Sequence, residues 1–198
     1  MSNYTPAWPH GPIQEVFKDI FMVTGTNKTA HDGFDYQFSR NMIIVREGSD
    51  LSLINTVRLT EEGLKELEKL GQVKNIIRLG AFHGRDDQFY LDRYQASFWG
   101  PKDVAEDLPL TAKLFKFDSE KFNEAALLIE RHDSILVTCD SIQNWAFTDQ
   151  FFNDQTRIKF FKEGKIRSAN IGDPWKHAVR PQNMHDLLKL DFKHLLSA

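Results

Sequence analysis

An apolar strand, Val73 to Leu79, runs almost directly into the polar turn His83-Gly84-Arg85-Asp86-Asp87-Gln88, and a helix opening near Asp86 follows. Strand, charged turn and helix in close succession restrict the chain to layered architectures in which sheets and helices cover one another. The turn is also dense in side chains that bind cations or pair with them, so it is the first place to look for chemistry.

The bounds on the chain agree with one compact domain spanning residues 1–198. At 198 residues, with 41% apolar and 12% aromatic content, it can bury a sizeable core without subdivision. Lysine and arginine number 25 against 28 acidic residues, a net charge of −3, so no basic field points to nucleic acid or an anionic membrane. The longest apolar runs, such as Ala125 to Ile129, fall far short of the roughly 20 residues a membrane span requires. Met1 to Pro12 carries three prolines and no apolar stretch behind basic residues, so it does not read as a secretory leader, and the cytoplasm is the expected compartment. Cys139 is the single cysteine, which excludes an internal disulfide and a cysteine-based zinc cluster; among apolar neighbours it reads as a buried, inert thiol.

Along the chain, Ile13 to Thr24 suits one or two strands ahead of a loop, Gly25 to Gly33. Asn41 to Arg46 and Leu51 to Asn55 flank the turn Glu47-Gly48-Ser49-Asp50 and form a hairpin. Thr60 is a hydroxyl cap for a helix carrying Leu64, Leu67 and Leu70 at helical spacing and ending at Gly71. After the strand at 73–79 come a helix from Asp87 to Tyr94 and a strand from Ala96 to Trp99. Strands are expected at Lys113 to Phe117, Ala125 to Glu130 and Ser134 to Thr138, the last delivering Cys139-Asp140-Ser141 at its carboxyl end. The tail reads as a helix, Asn183 to Leu188, and a final strand, Phe192 to Leu196.

Read as His83-x-Arg85-x-Asp87-Gln88, the turn resembles the His-x-His-x-Asp-His signature of the metallo-β-lactamase superfamily, with two of four metal-seeking side chains replaced. Asn41 to Val45 resembles the family's early strand opened by asparagine, and Gly71 to Ile77 resembles the strand leading to its metal loop. Thr138-Cys139-Asp140 resembles the threonine-glycine-aspartate that places a metal-bridging carboxylate, with cysteine in place of glycine. The resemblance covers most of the chain and implies an α+β fold, a four-layer αββα sandwich. It also implies two metals sharing an activated water, which this chain is poorly equipped to hold. Arginine does not ligate cations, and its fixed charge opposes them. The family's further histidine has only His132 as a counterpart, inside a hairpin turn, and no histidine follows the last strand.

Two functions follow from the resemblance. In the first, Arg85 pairs with Asp86, Asp87 or Asp140 and fills the vacated site, leaving a protein without hydrolase activity or cofactor that binds or supports something else. In the second, His83, Asp87 and Asp140 hold one zinc, iron or manganese ion of a hydrolase, with Arg85 turned outward toward substrate. Gln88 lines the same candidate pocket. A small molecule or a protein is the expected partner, with a homo-oligomer open to the chain and no role for nucleic acid or membranes. His177, Trp145 and Phe147 can rim the pocket, although packing explains them as well, and the run Asp149 to Asp154 reads as a cover or as a loop anchored by its aromatics. His10, His31, His185 and His194 are assigned no role, and Thr24 to Thr29 lacks the spacing of a phosphate loop.

Overall fold

Alternation of apolar residues organises the first half of the chain. The computed structural model describes residues 4–100, 108–119, 121–178 and 180–198, so residues 1–3 of the proline-rich start lie outside it. Strands β1 (Gln14–Phe17), β2 (Ile20–His31), β3 (Phe34–Glu47) and β4 (Asp50–Ile54) form an antiparallel meander. Helix α1 (Glu61–Leu70) then crosses over to β5 (Gln72–Ile77), and α2 (Asp87–Tyr94) leads to β6 (Ser97–Trp99), both strands joining in parallel. These six strands make one sheet in chain order. Thr60 caps α1 as its sequence requires, its side chain accepting the Gly63 N–H.

The second sheet contains β7 (Lys113–Lys116), β8 (Ala125–Ile129), β9 (Ile135–Thr138) and, beyond a short pair β10 (Gln143–Asn144) and β11 (Ala169–Asn170), the parallel edge strand β12 (His194–Ser197). Helix α3 (Asp154–Lys162) precedes β11, and α4 (Pro181–Leu187) precedes β12.

Side-chain phase sorts the core into layers. Met42, Ile44, Leu51 and Leu53 face Leu64 and Leu67 of α1 and Phe89 and Tyr90 of α2. Their neighbours Ile43, Val45, Ile54 and Ile77 face the other way, against Leu127, Ile129, Ile135 and Val137 of the second sheet. On the far side of that sheet, Ala126 and Leu136 pack on Trp175 and on Leu187 of α4. Helices, sheet, sheet and helices follow in order, the αββα arrangement the resemblance implies.

Three expectations need correction. Gly25 to Gly33 is not a loop: β2 continues to His31 and pairs residue for residue with β3 as far as His31 opposite Phe34. The reversal uses only Asp32 and Gly33, both at positive φ (49° and 73°), as a tight hairpin turn demands. Second, no helix is expected between Asp149 and the tail helix at Asn183, yet Asn153 accepts the Thr156 N–H and starts α3, whose Phe160 packs with Tyr36 and Phe38 of β3. Within the Asp149 to Asp154 run, Phe151 and Phe152 are buried, the anchored alternative. Third, the tail elements sit one or two residues from their expected bounds.

The segment ahead of β1 lies along the first sheet. Thr26 N–H donates to the Pro9 carbonyl at 3.0 Å, Arg58 donates to the Thr5 carbonyl at 2.7 Å, and the Thr60 N–H donates to His10 Nε2 at 2.9 Å. No helix among the described residues is long and apolar enough to cross a membrane.

Leu67 is fully buried between α1 and the first sheet. Leu67→Ala is expected to lower unfolding free energy by about 2–5 kcal/mol, measured by urea denaturation.

Candidate metal centre

The exit of β5 is fixed before any functional side chain is placed. Asn55, at positive φ (53°), donates its N–H to the Ile77 carbonyl and accepts the Leu79 N–H on its side chain at 2.9 Å. Ala125 N–H donates to the Leu79 carbonyl at 3.0 Å, and Gly80 bridges to Glu124. The two sheets are thereby stitched together where β5 ends and β8 begins, and the His83 turn hangs above that seam.

Strand phase then delivers Cys139. It continues the inward series Ile135, Val137 and is fully buried, as its apolar setting led us to expect. Asp140 follows, and its Oδ1 lies 3.3 Å from His83 Nε2. One ligand atom each from His83, Cys139 and Asp140 lies within 4.8 Å of the others. Burial works to raise the Asp140 pKa, but the charge and hydrogen bond of His83, with help from Gln143 and Cys139, carry it below the usual carboxylate range. Burial, then Asp140 and Glu124, pushes the Cys139 thiol well above its ordinary value.

Glu124 is the residue that sequence reasoning missed. It is 3% exposed, and its Oε1 accepts the Ser141 N–H at 2.6 Å. Burial and the neighbouring Asp140 push its pKa up to about 8. The only signal for it in the sequence is its place directly before the wholly apolar strand Ala125 to Ile129.

The remaining turn residues do not join this cluster. Asp87 is 1% exposed and heads α2, where Thr56 Oγ1 donates to it at 2.6 Å and Arg78 Nε at 2.7 Å. Gly84 makes room for that arginine, because a β-carbon there would fall 2.6 Å from the Arg78 guanidinium nitrogens. Asp86 pairs with the buried guanidinium of Arg40 and accepts the Arg58 N–H at 3.0 Å. Burial pulls the Arg40 pKa down to about 10, with Asp86 opposing the fall. Gln88 turns outward to Asp92.

Arg85, expected to pair with Asp86, Asp87 or Asp140, is an ion-pair partner of Asp86 alone and does not stand between the other two. Its guanidinium lies 3.8 Å over the Trp8 ring, donates to Asn27 at 3.2 Å and comes within 3.5 Å of Asp86. Cation–π stacking on an indole competes well with a second carboxylate for a guanidinium. The arginines that hold the turn's acids are Arg40 and Arg78. Both were legible by phase: Arg40 shares the face of Met42 and Ile44, and Arg78 that of Ile76, the face turned toward α2.

Of the pocket-rim candidates, Trp145 packs on Phe38, Phe152 and Phe160 and donates its Nε1–H to the Ser39 carbonyl, while Phe147 is exposed. Both line a groove of about 210 Å³ between β2, β3 and β12, together with Asn41, Leu195 and Ser197. His177 sits in the short 3-10 turn Trp175–His177 and is absent from the groove lining.

No family model and no curated protein matches this chain. Solved structures do resemble it. The likeness is to metallo-β-lactamases. The enzyme from Erythrobacter litoralis is 10% identical, with 90% of this chain and 91% of that one covered and a TM-score of 0.47. The one from Hirschia baltica is 9% identical, covers 89% and 96%, and scores 0.46. DIM-1 metallo-β-lactamase exposed to ceftazidime is 11% identical, covers 81% and 90%, and scores 0.47.

The raised Glu124 pKa makes stability depend on pH. The folded chain keeps that proton up to about pH 8, whereas an unfolded chain releases it near 4.5, so stability falls as pH climbs through this window. Glu124→Gln keeps an acceptor for Ser141 but cannot ionise. In chelator-treated protein it is expected to gain stability over wild type at pH 8 relative to pH 4.5, by an amount on the order of a few kcal/mol. Thermal melts at the two pH values measure this, and identical pH slopes for both proteins would refute it.

Proposed function

We propose that this chain is a metallo-β-lactamase-like protein that has lost the two-metal hydrolase site and retains a place for one divalent cation. The supporting observation is the division of the turn's acids: Asp86 and Asp87 are each consumed by an arginine, while the donors of His83, Cys139 and Asp140 converge. A second metal over the turn would find both of its acids already paired.

The residues present fit a single ion. An imidazole, a thiol and a carboxylate are the donor types zinc accepts, and a separation of 3.3 Å between a nitrogen and an oxygen suits ligands about 2.0–2.2 Å from a shared ion. His83 Nδ1 is buried without a hydrogen-bond partner. Cys139 takes the place that the sequence reading gave to Asp87. When bound, such an ion supplies Lewis acidity and fixed positive charge. The chain's own residues do the rest: the Asn55 clamp holds the His83 turn over the seam, and loading requires the Cys139 proton to leave, so affinity rises with pH. A small molecule is the partner this reading favours, in the groove beside Trp145 and Phe147, whose lining is separate from the three donors. The cytoplasm, where a lone cysteine stays reduced, is the compartment it favours.

A second reading rests on the direct His83–Asp140 pair. With no ion, the His83 ring stays against Asp140 as arginines stay against Asp86 and Asp87, and the fold carries a metal-free binding or structural role.

Elemental analysis after equilibration with zinc, iron and manganese separates the two. Close to one metal per chain, lost in Asp140→Ala, is expected. Metal-free protein in both cases would leave the second reading.

A further inference from the structure

The groove of about 210 Å³ between β2, β3 and β12 has a one-sided chemistry. Four of its polar side chains spend their donors on the protein itself. The Thr24 hydroxyl donates to Asn41 Oδ1 at 2.7 Å, and the Asn41 amide to the Ser197 carbonyl at 2.8 Å. The Ser197 hydroxyl donates to the Ile142 carbonyl at 3.0 Å, and Trp145 Nε1–H to the Ser39 carbonyl at 3.2 Å. Among the described residues that line the groove there is no lysine, arginine or histidine, and Asp149 is the one charged group. Its Oδ1 accepts the Phe151 N–H at 2.9 Å. Arg157 reaches only the Asp149 backbone carbonyl and gives its ion pair to Asp154. Two aromatic rings complete the lining: Trp145 is locked against Phe38, Phe152 and Phe160, whereas Phe147 stands 72% exposed.

Committed donors leave a carboxylate or phosphate few partners here, and Asp149 repels either. A cation meets the reverse, a carboxylate for its charge and ring faces for cation–π contact. Covering Phe147 also removes apolar surface from water, which calls for an apolar body on the ligand. The volume lies below the roughly 300–1,000 Å³ of pockets that hold drug-sized molecules, so that body is no larger than about one ring.

We propose that this groove binds a small organic cation, an amine or quaternary ammonium on a compact apolar body, with Asp149 as counter-charge and Trp145 and Phe147 as walls. This rests on the reading that the chain's partner is a small molecule in the groove, and it is independent of whether a metal occupies the trio.

The test uses the full chain, stripped with chelator, and three one-ring probes of similar size: 2-phenylethylamine, 2-phenylethanol and phenylacetate. Binding is followed by NMR at the Trp145 indole N–H, identified by its loss in Trp145→Phe. The amine is expected to bind about tenfold more tightly than the alcohol, a preference that shrinks as salt is raised, and phenylacetate more weakly than either. Asp149→Asn keeps an acceptor for the Phe151 N–H and is expected to bring the amine down to the affinity of the alcohol. Phe147→Ala leaves the core untouched and is expected to weaken both. Equal binding of amine and alcohol by wild type, tighter binding of phenylacetate, or a preference retained in Asp149→Asn would overturn the proposal while leaving a small-molecule groove. No shift at Trp145 with any probe would remove the groove reading as well.

Discussion

Buried negative charge is the constraint around which this structure is arranged. Asp86, Asp87, Asp140 and Glu124 are all withdrawn from water near the ends of β5, β8 and β9, and no fold can leave such groups ionised without compensation. Each is answered differently. Arg40 and Arg78 rise from the first sheet to meet the two acids that open α2, His83 meets Asp140, and Glu124 keeps its proton. The positions of the turn, of α2 and of the seam between the sheets all depend on these pairings being made.

The same pairings decide which side chains of the turn stay uncommitted. The αββα layers bring an imidazole of the turn against a carboxylate at the end of β9. Over the turn's two acids stand fixed guanidinium groups, with glycine at 84 to admit one of them. The donors that no arginine holds lie on the other side of the turn, at His83, Cys139 and Asp140.

Much of the fold was legible because local signals agreed with one another. Thr60, three leucines at helical spacing and Gly71 define α1 with no outside help, and the apolar runs of β5, β8 and β9 left little choice. The outer half of the β2–β3 ribbon was not legible, since Asn27 to His31 is polar and its order comes from a two-residue turn and from α3 packing on the partner strand. The site was half legible. His83 and Asp140 were found by pattern, but Cys139 and Glu124 depend on which strands meet across the seam, and the choice of Arg78 over Arg85 depends on strand phase and on Trp8, some 77 residues away in the chain.

Gly84 has a consequence for how the turn answers to change. Arg78 occupies the volume a β-carbon at 84 would need, and Asp87 is held by both, accepting from Arg78 and donating its N–H to the Gly84 carbonyl. A larger side chain at 84 displaces the guanidinium, and a displaced guanidinium strands a buried aspartate without its counter-charge. Positions 78, 84 and 87 therefore act as one mechanical unit, in which a change of size at the glycine is felt as a change of charge balance at the head of α2.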